Sequence, residues 1–280
     1  MQDYREWLAA LAELEKAAAK IGPEAVSAPA WDILPDNAPV AMVCSPHPDD
    51  EVITGALALR LRREGWRVVN LAITLGSAKE RKEARRAELE ACCRLLGFEL
   101  QIAGGELGLD HIRLETRRED PTAWGMAVMA VATQFQRWKP KVVMLPHAAD
   151  HHPTHIGTHW LARDGLTACR LLERTWLVET EFWGAMAEPN LLVSSSLEEL
   201  AILLGGLRQH VGEVARNPYH LRLPAWMSDN VRRGSELLGG AGAAAFSARY
   251  GTLYRLSVAG EAVPVQCLAD SESASALFQL

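Results

Sequence analysis

The residues able to do chemistry stand in two clusters. The first, Pro46-His47-Pro48-Asp49-Asp50-Glu51, sets one imidazole and three carboxylates within five positions. The second follows about a hundred residues later: Pro146-His147-Ala148-Ala149-Asp150-His151-His152-Pro153-Thr154-His155. Burying an imidazole beside two carboxylates is costly unless a cation offsets the charge. Imidazole and carboxylate are ordinary zinc ligands, and they also suit iron(II) and other divalent ions. His-Pro-x-Asp in the first cluster and His-x-x-His in the second together supply three ligands and leave one position open. Three protein ligands with an open position describe a catalytic zinc site rather than a structural one. His155 and His159, four apart on a predicted helix, form an alternative ligand pair.

The elements around the clusters tell how they are held. Each follows a short apolar run, Val40 to Cys44 and Val142 to Leu145, and each precedes a helical pattern. Both clusters therefore sit where a strand ends and a helix begins, the edge where ligands gather in open α/β sheets. Strands are expected over Val40–Ser45, Arg67–Ile73, Phe98–Ile102, Lys141–Leu145 and Trp176–Trp183. Helices are expected over about Asp50–Glu64, Glu80–Leu96, Pro121–Trp138 and Thr154–Leu172. This alternation predicts an α/β fold: a mostly parallel, Rossmann-like sheet with helices on both faces. Residues 1–38 read as an amphipathic helix, over 4–20, and an extended connection; 39–180 as the α/β core; and 181–280 as a smaller C-terminal extension that covers substrate. In that extension a helix is expected over Leu197–His210 and a strand over Leu253–Val258. The stretch from Asn217 to Trp226, rich in turn formers and aromatics, is expected to be a loop over the pocket. The tail from Asp270 to Leu280 is expected to be weakly ordered or bound to a partner.

The chain resembles the PIG-L/LmbE-like zinc-dependent de-N-acetylases. The resemblance rests on Pro46-His47-Pro48-Asp49-Asp50-Glu51, on His152-Pro153-Thr154-His155, on Thr74-Leu75-Gly76, and on Arg85-x-x-Glu88 before Leu96-Gly97. It covers about residues 39–180 well. The family usually has Asp where Thr154 stands, often Asp where Leu75 stands, and Gly-Gly where Gly55-Ala56 stands; none of these departures removes a ligand. The resemblance implies a single deacetylase domain with Zn²⁺, or another divalent metal, on His47, Asp50 and His155. Asp49, beside Asp50, is then the general base, since a bound cation brings the pKa of water from 15.7 down to about 7. His152 is placed to meet the oxyanion as a protonated imidazole, or to pass a proton to the leaving amine. Asp150 is expected to orient His152 through its ring N–H. Arg85 matches the family's substrate-contacting position, and Asp110 the one that hydrogen-bonds sugar hydroxyls. The implied substrate is a small N-acetylglucosamine-type amino sugar or its conjugate. Other readings of the same residues are an amidase acting on a thiol conjugate or antibiotic intermediate, and a non-catalytic metal-holding binding protein. The pairing of Asp49 with His152 argues against the last, because a binding site needs ligands but not a base and an acid.

Bulk properties narrow the partners. The 280 residues carry a net charge of −6, so no basic face for nucleic acid is implied. No apolar run approaches the roughly 18 residues of a membrane span, and Met1 to Glu6 lacks a signal-peptide pattern. A cytoplasmic protein is expected, with no membrane or nucleic-acid partner; a homo-oligomer is compatible with this composition. Cys44, Cys92, Cys93, Cys169 and Cys267 are odd in number and form no C-x-x-C pair, so buried thiols are expected rather than disulfides. No G-x-G-x-x-G follows the first strand, which removes the support for dinucleotide binding.

Overall fold

The computed structural model describes residues 3–279. Its elements are α1 (Tyr4–Ala18), β1 (Val40–Ser45), α2 (Asp50–Ile53), α3 (Ala56–Arg63), β2 (Arg67–Ala72), α4 (Lys82–Leu96), β3 (Glu99–Ile102), α5 (Leu114–Glu119), α6 (Pro121–Trp138), β4 (Val142–Pro146), α7 (Pro153–Ala168) and β5 (Trp176–Thr180). The C-terminal part adds β6 (Leu191–Ser194), α8 (Leu197–Gln209), α9 (Val211–Arg216), α10 (Tyr219–Gly239), β7 (Gly251–Val258), β8 (Glu261–Ala262) and β9 (Gln266–Leu268). The sheet order is β3-β2-β1-β4-β5-β7-β6-β9, with β8 on β7. The first five strands are parallel, as the alternating pattern implies, and β7 adds antiparallel to β5.

The chain leaves β1 toward β2 and β3 on one side, then returns to place β4 on the other. The gap beyond the ends of β1 and β4 is therefore the topological switch point, where strand order reverses and a crevice opens. The two apolar cores lie on opposite faces of the sheet. One holds Ala41, Val43 and Leu57 under α3, α4 and α8; the other holds Met42, Cys44 and Phe135 under α6 and α7. Alternate residues of β1 thus bury in opposite directions, which is why this strand reads as a continuous apolar run.

Five expectations change. The single helix over Asp50–Glu64 is two, broken at Thr54-Gly55. Gly55 has φ 88°, and a Cβ there would lie 2.3 Å from Thr252 Oγ1. Tyr254 of β7 donates its hydroxyl to the Thr54 carbonyl that the break frees, a contact across 200 positions with no local signal. The strand from Trp176 ends at Thr180, so Phe182 and Trp183 leave the sheet. Residues 219–226 open α10 and are not a loop. Pro224 removes one helical bond there, but Leu223, Met227 and Val231, at four-residue spacing, bury against the core. The tail, to Gln279, docks on its own chain: Phe278 is buried between Trp66 and Trp176, and Glu64 accepts from the Ala274 and Ser275 amides. Leu280 lies outside the described residues. Finally, Cys267 is exposed on the edge strand β9, unlike the buried Cys44, Cys92 and Cys93.

Helix α1 forms because Asp3 caps it and its sequence is amphipathic, yet none of its residues is buried. Tyr4, Trp7, Leu8, Leu11 and Leu14 remain exposed. No helix among the described residues is long and apolar enough to cross a membrane.

Candidate metal centre and active site

His47 and Asp50 are delivered by the turn from β1 into α2, and His155 by the first turn of α7 after β4. Their three side-chain atoms form a near-equilateral triangle. His47 Nδ1 lies 3.2 Å from His155 Nε2, and both lie 3.3 Å from Asp50 Oδ2. A tetrahedral ion with bonds of about 2.1 Å to N and O would hold its ligand atoms about 3.4 Å apart. Two imidazole nitrogens and one carboxylate oxygen are also the donor set a divalent cation takes. The residues therefore fit a metal.

Burial alone would raise the Asp50 carboxyl. The charge and hydrogen bonding of His155, then those of His47, outweigh it and hold the group well below the usual carboxylate range. Burial opposes protonation of His155 as well, but Asp50 and then Asp150 push its pKa up. His155 Nδ1 is buried and has no hydrogen-bond partner closer than the Asp150 carboxylate at 3.7 Å. Asp150 thus stands behind His155. Its other contacts are the His152 amide at 2.8 Å and the amides of Trp183 and Gly184 at 3.1 and 3.3 Å. The structure places no Asp150 contact on the His152 ring, the partner expected from sequence. An Asp two residues before a helix N-cap turns naturally onto the backbone.

His152 caps α7: its Nδ1 accepts the Thr154 amide at 3.2 Å, so the single proton of the neutral ring belongs on Nε2. Its ring lies 4.9 Å from that of His47 and 5.1 Å from that of His155. His152 could be counted with those two as a ligand on distance alone, since the ligating atoms lie within 4.8 Å of one another. The tautomer argues otherwise, because a ring whose Nδ1 is already used and whose Nε2 carries the proton is a donor. Burial, then the neighbouring His47 and His155, lower its pKa to about 4, so the ring faces the site neutral and not as the imidazolium expected. His159 is turned away: Nδ1 lies 2.9 Å from the Pro146 carbonyl, and burial takes its pKa to about 4.

Asp49 sits at φ 109°, a conformation that L-residues other than Asn, Asp and Gly rarely adopt. Its amide donates to Glu51 Oε2 at 2.9 Å, and Glu51 Oε1 lies 2.7 Å from His210 Nε2 at the end of α8. Arg85 donates to the Pro48 carbonyl at 3.0 Å, so the arginine braces this turn from α4. Burial raises the Asp49 carboxyl well above its usual range, and the negative charges of Asp50 and Glu51 raise it further. Glu51, Cys92 and His210 also bring potential ligand atoms together. Burial, followed by Glu51, pushes the Cys92 thiol well above its usual range.

Asp110 is placed elsewhere. Its carboxylate pairs with Lys82 at 2.7 Å and borders a separate depression with His111, Arg113 and Trp124. The cavity that reaches Asp50, of about 270 Å³, is instead walled by Ile53, Leu207, Leu223 and four aromatics: Phe182, Trp183, Tyr219 and Trp226. Phe182 packs edge-on against His155 at 4.9 Å, and Trp183 against Tyr219 at 5.7 Å. The stretch holding Phe182 is fixed at both ends. Asp150 takes the amides of Trp183 and Gly184, and Arg233 of α10 pairs with the buried Glu181. Sequence reasoning singled out the aromatics of 219–226 but missed Phe182, Trp183, Glu51 with His210, and Glu181 with Arg233. Pairs 159 and 52 positions apart leave no spacing signal.

Residues 42–165 match the PIG-L family, described as GlcNAc-PI de-N-acetylase. No curated protein matches the chain in sequence. Solved structures share its fold, among them the three that follow. The conserved protein TT1542 from Thermus thermophilus is 19% identical, with 82% of this chain and 97% of that one covered and a TM-score of 0.60. The N,N'-diacetylchitobiose deacetylase from Pyrococcus horikoshii is 17% identical, with 80% and 85% covered and a TM-score of 0.54. The 4-carboxy-2-hydroxymuconate hydratase from Pseudomonas putida is 14% identical, with 81% and 100% covered and a TM-score of 0.54. These identities show a common fold, and a fold that hosts both a deacetylase and a hydratase leaves the reaction to the site residues.

Proposed function

We propose that this chain, whose residues 42–165 match the PIG-L family, is a metal-dependent hydrolase that removes the N-acetyl group from an N-acetylglucosamine-type amino sugar or its conjugate. The observation that carries this reading is the triangle of His47 Nδ1, Asp50 Oδ2 and His155 Nε2, with edges of 3.2 to 3.3 Å. A divalent cation held there, zinc or another that takes this donor set, would supply the positive charge that acidifies a water and polarises an amide carbonyl.

The chain's own groups do the rest. Asp49 takes a proton from the attacking water; burial and the charges of Asp50 and Glu51 raise its affinity for protons above that of an ordinary carboxylate. His152, neutral with its proton on Nε2, donates to the carbonyl oxygen as negative charge develops there. A neutral imidazole with one proton has none to spare for the amine, so Asp49 returns the proton it took to the leaving nitrogen as the C–N bond breaks. Acetate and a free amine result. Arg85 holds the Pro48 carbonyl and with it the turn that aims Asp49. Asp150 stands 3.7 Å behind His155 Nδ1, the side from which a carboxylate can steady the ring while Nε2 faces Asp50.

The test is elemental analysis of zinc-reconstituted protein together with a panel of N-acetyl sugars scored for amine release. About one ion per chain is expected, lost in His47→Ala, with amine released from at least one sugar. Less than about 0.2 ion per chain after reconstitution, against the full occupancy of a three-ligand site, sinks the metal. No amine release from any sugar by the metal-loaded protein sinks the reaction.

A further inference from the structure

We infer that the substrate of this site carries an apolar group of ring or short-chain size beside the scissile amide, and that the cavity walled by Phe182, Trp183, Tyr219 and Trp226 receives it. The inference rests on the hydrolase reading above and names its substrate class. The cavity of about 270 Å³ opens on Asp50, so whatever fills it lies next to the reacting amide. Four separate elements contribute its walls: α2, the segment after β5, the end of α8, and the first two turns of α10. Ile53 and Leu207 close it between the aromatics.

The polar groups at this wall are few. Asp50 is committed to the imidazoles, Arg222 is exposed at the rim, and the Tyr219 hydroxyl sits beside negative charge: burial, then Asp49, push its pKa up to about 12. A bare hexosamine has a hydroxyl on most of its carbons, and each one buried without a partner is penalised. One aromatic face suits the C–H face of a sugar; four aromatic and three aliphatic side chains around one space suit a hydrocarbon. The carboxylate expected to bind sugar hydroxyls, Asp110, lies in another depression and is neutralised by Lys82. The apolar group comes from one of two sources, an acyl chain longer than acetyl or an apolar aglycone on the amine side.

Product-like probes separate the sources without turnover. Calorimetry on the zinc-loaded full-length chain compares phenyl with methyl glucosaminide for the aglycone side, and hexanoate with acetate for the acyl side. One arm is expected to favour its apolar member by about tenfold or more, on the scale of discrimination a hydrophobic pocket gives. Trp226→Ala, and independently Trp183→Ala, should cut that preference to about threefold or less. Trp183 is 53% exposed and Trp226 only half-buried, so both variants should fold, which a thermal melt checks. Equal binding within both arms, no binding in either, or a preference that both variants keep would overturn the inference. A failed hydrolase reading looks different: the apolar preference persists while no amine is released from any N-acyl sugar.

Discussion

His210 Nε2 lies 2.7 Å from Glu51 Oε1, and the other oxygen of Glu51 accepts the amide of Asp49 at 2.9 Å. A histidine at the end of α8 thus holds, through one carboxylate, the backbone of the residue proposed as base. That backbone sits at φ 109°, which the turn would not keep unaided. His210→Ala should lower kcat by about 10- to 100-fold, the usual cost of losing an orienting partner, with KM and metal content little changed. His210→Gln keeps a donor for Glu51 and should recover most of the loss. Equal impairment in both variants, accompanied by equal destabilisation, would mean that the pair only packs.

Asp49 is open to two substitutions that should cost the same activity but differ in stability. Asp49→Asn should keep the metal and lose about 10²- to 10⁴-fold in turnover, the typical contribution of a general base. Asp49→Gly should lose the same activity yet raise stability by about 1 kcal/mol, because glycine adopts positive φ without penalty. Turnover, elemental analysis and chemical denaturation of both variants check this. Loss of the metal in either would assign Asp49 to the ligands.

Lys82 is buried against Asp110, which is half exposed. Removing the carboxylate leaves the ammonium with the Leu107 carbonyl at 3.2 Å. Asp110→Ala should therefore destabilise the fold by roughly 1–2 kcal/mol, less than a fully buried pair because solvent reaches Asp110. Lys82→Met in the same background should restore part of it. Turnover of an N-acetylhexosamine and of an acetanilide should fall together. A selective loss on the sugar would return Asp110 to substrate binding.

His159 and Glu179 lie 3.3 Å apart, yet they are not an ion pair. Burial raises the Glu179 carboxyl and lowers His159 to about 4, so both are pushed toward their neutral forms. The folded state then keeps His159 unprotonated between its unfolded pKa of about 6.5 and its folded value. That stability is complete above pH 6.5 and is lost as pH falls toward 4, by up to roughly 3 kcal/mol. His159→Asn should show a correspondingly flatter fall. Denaturant midpoints of the two proteins between pH 7 and 4, compared by difference, measure it, and parallel curves would reject it.

The parallel half of the sheet was legible because buried strands read as apolar runs and helices as 3.6-residue patterns, with glycines such as Gly65 and Gly97 closing them. The two clusters were legible for a similar reason. His47 and Asp50 share one turn, His152 and His155 another, and local spacing already puts each pair on one side of a strand end. What no local pattern carries is which strand ends meet. The 3.2 Å approach of His47 to His155 exists because β1 and β4 are neighbours across the switch point, a consequence of the sheet order. The same holds for Tyr254 breaking the helix at Thr54, for Lys82 claiming Asp110, and for His210 reaching Glu51. The apolar wall is the extreme case. Phe182, Leu207 and Trp226 belong to three elements that read as ordinary core or loop, and only the docking of α10 through Arg233 on Glu181 turns them toward one space. Sequence determined the candidate donor set because its residues cluster along the chain; tertiary structure decided their partners and the pocket because those contacts are set by packing between distant segments.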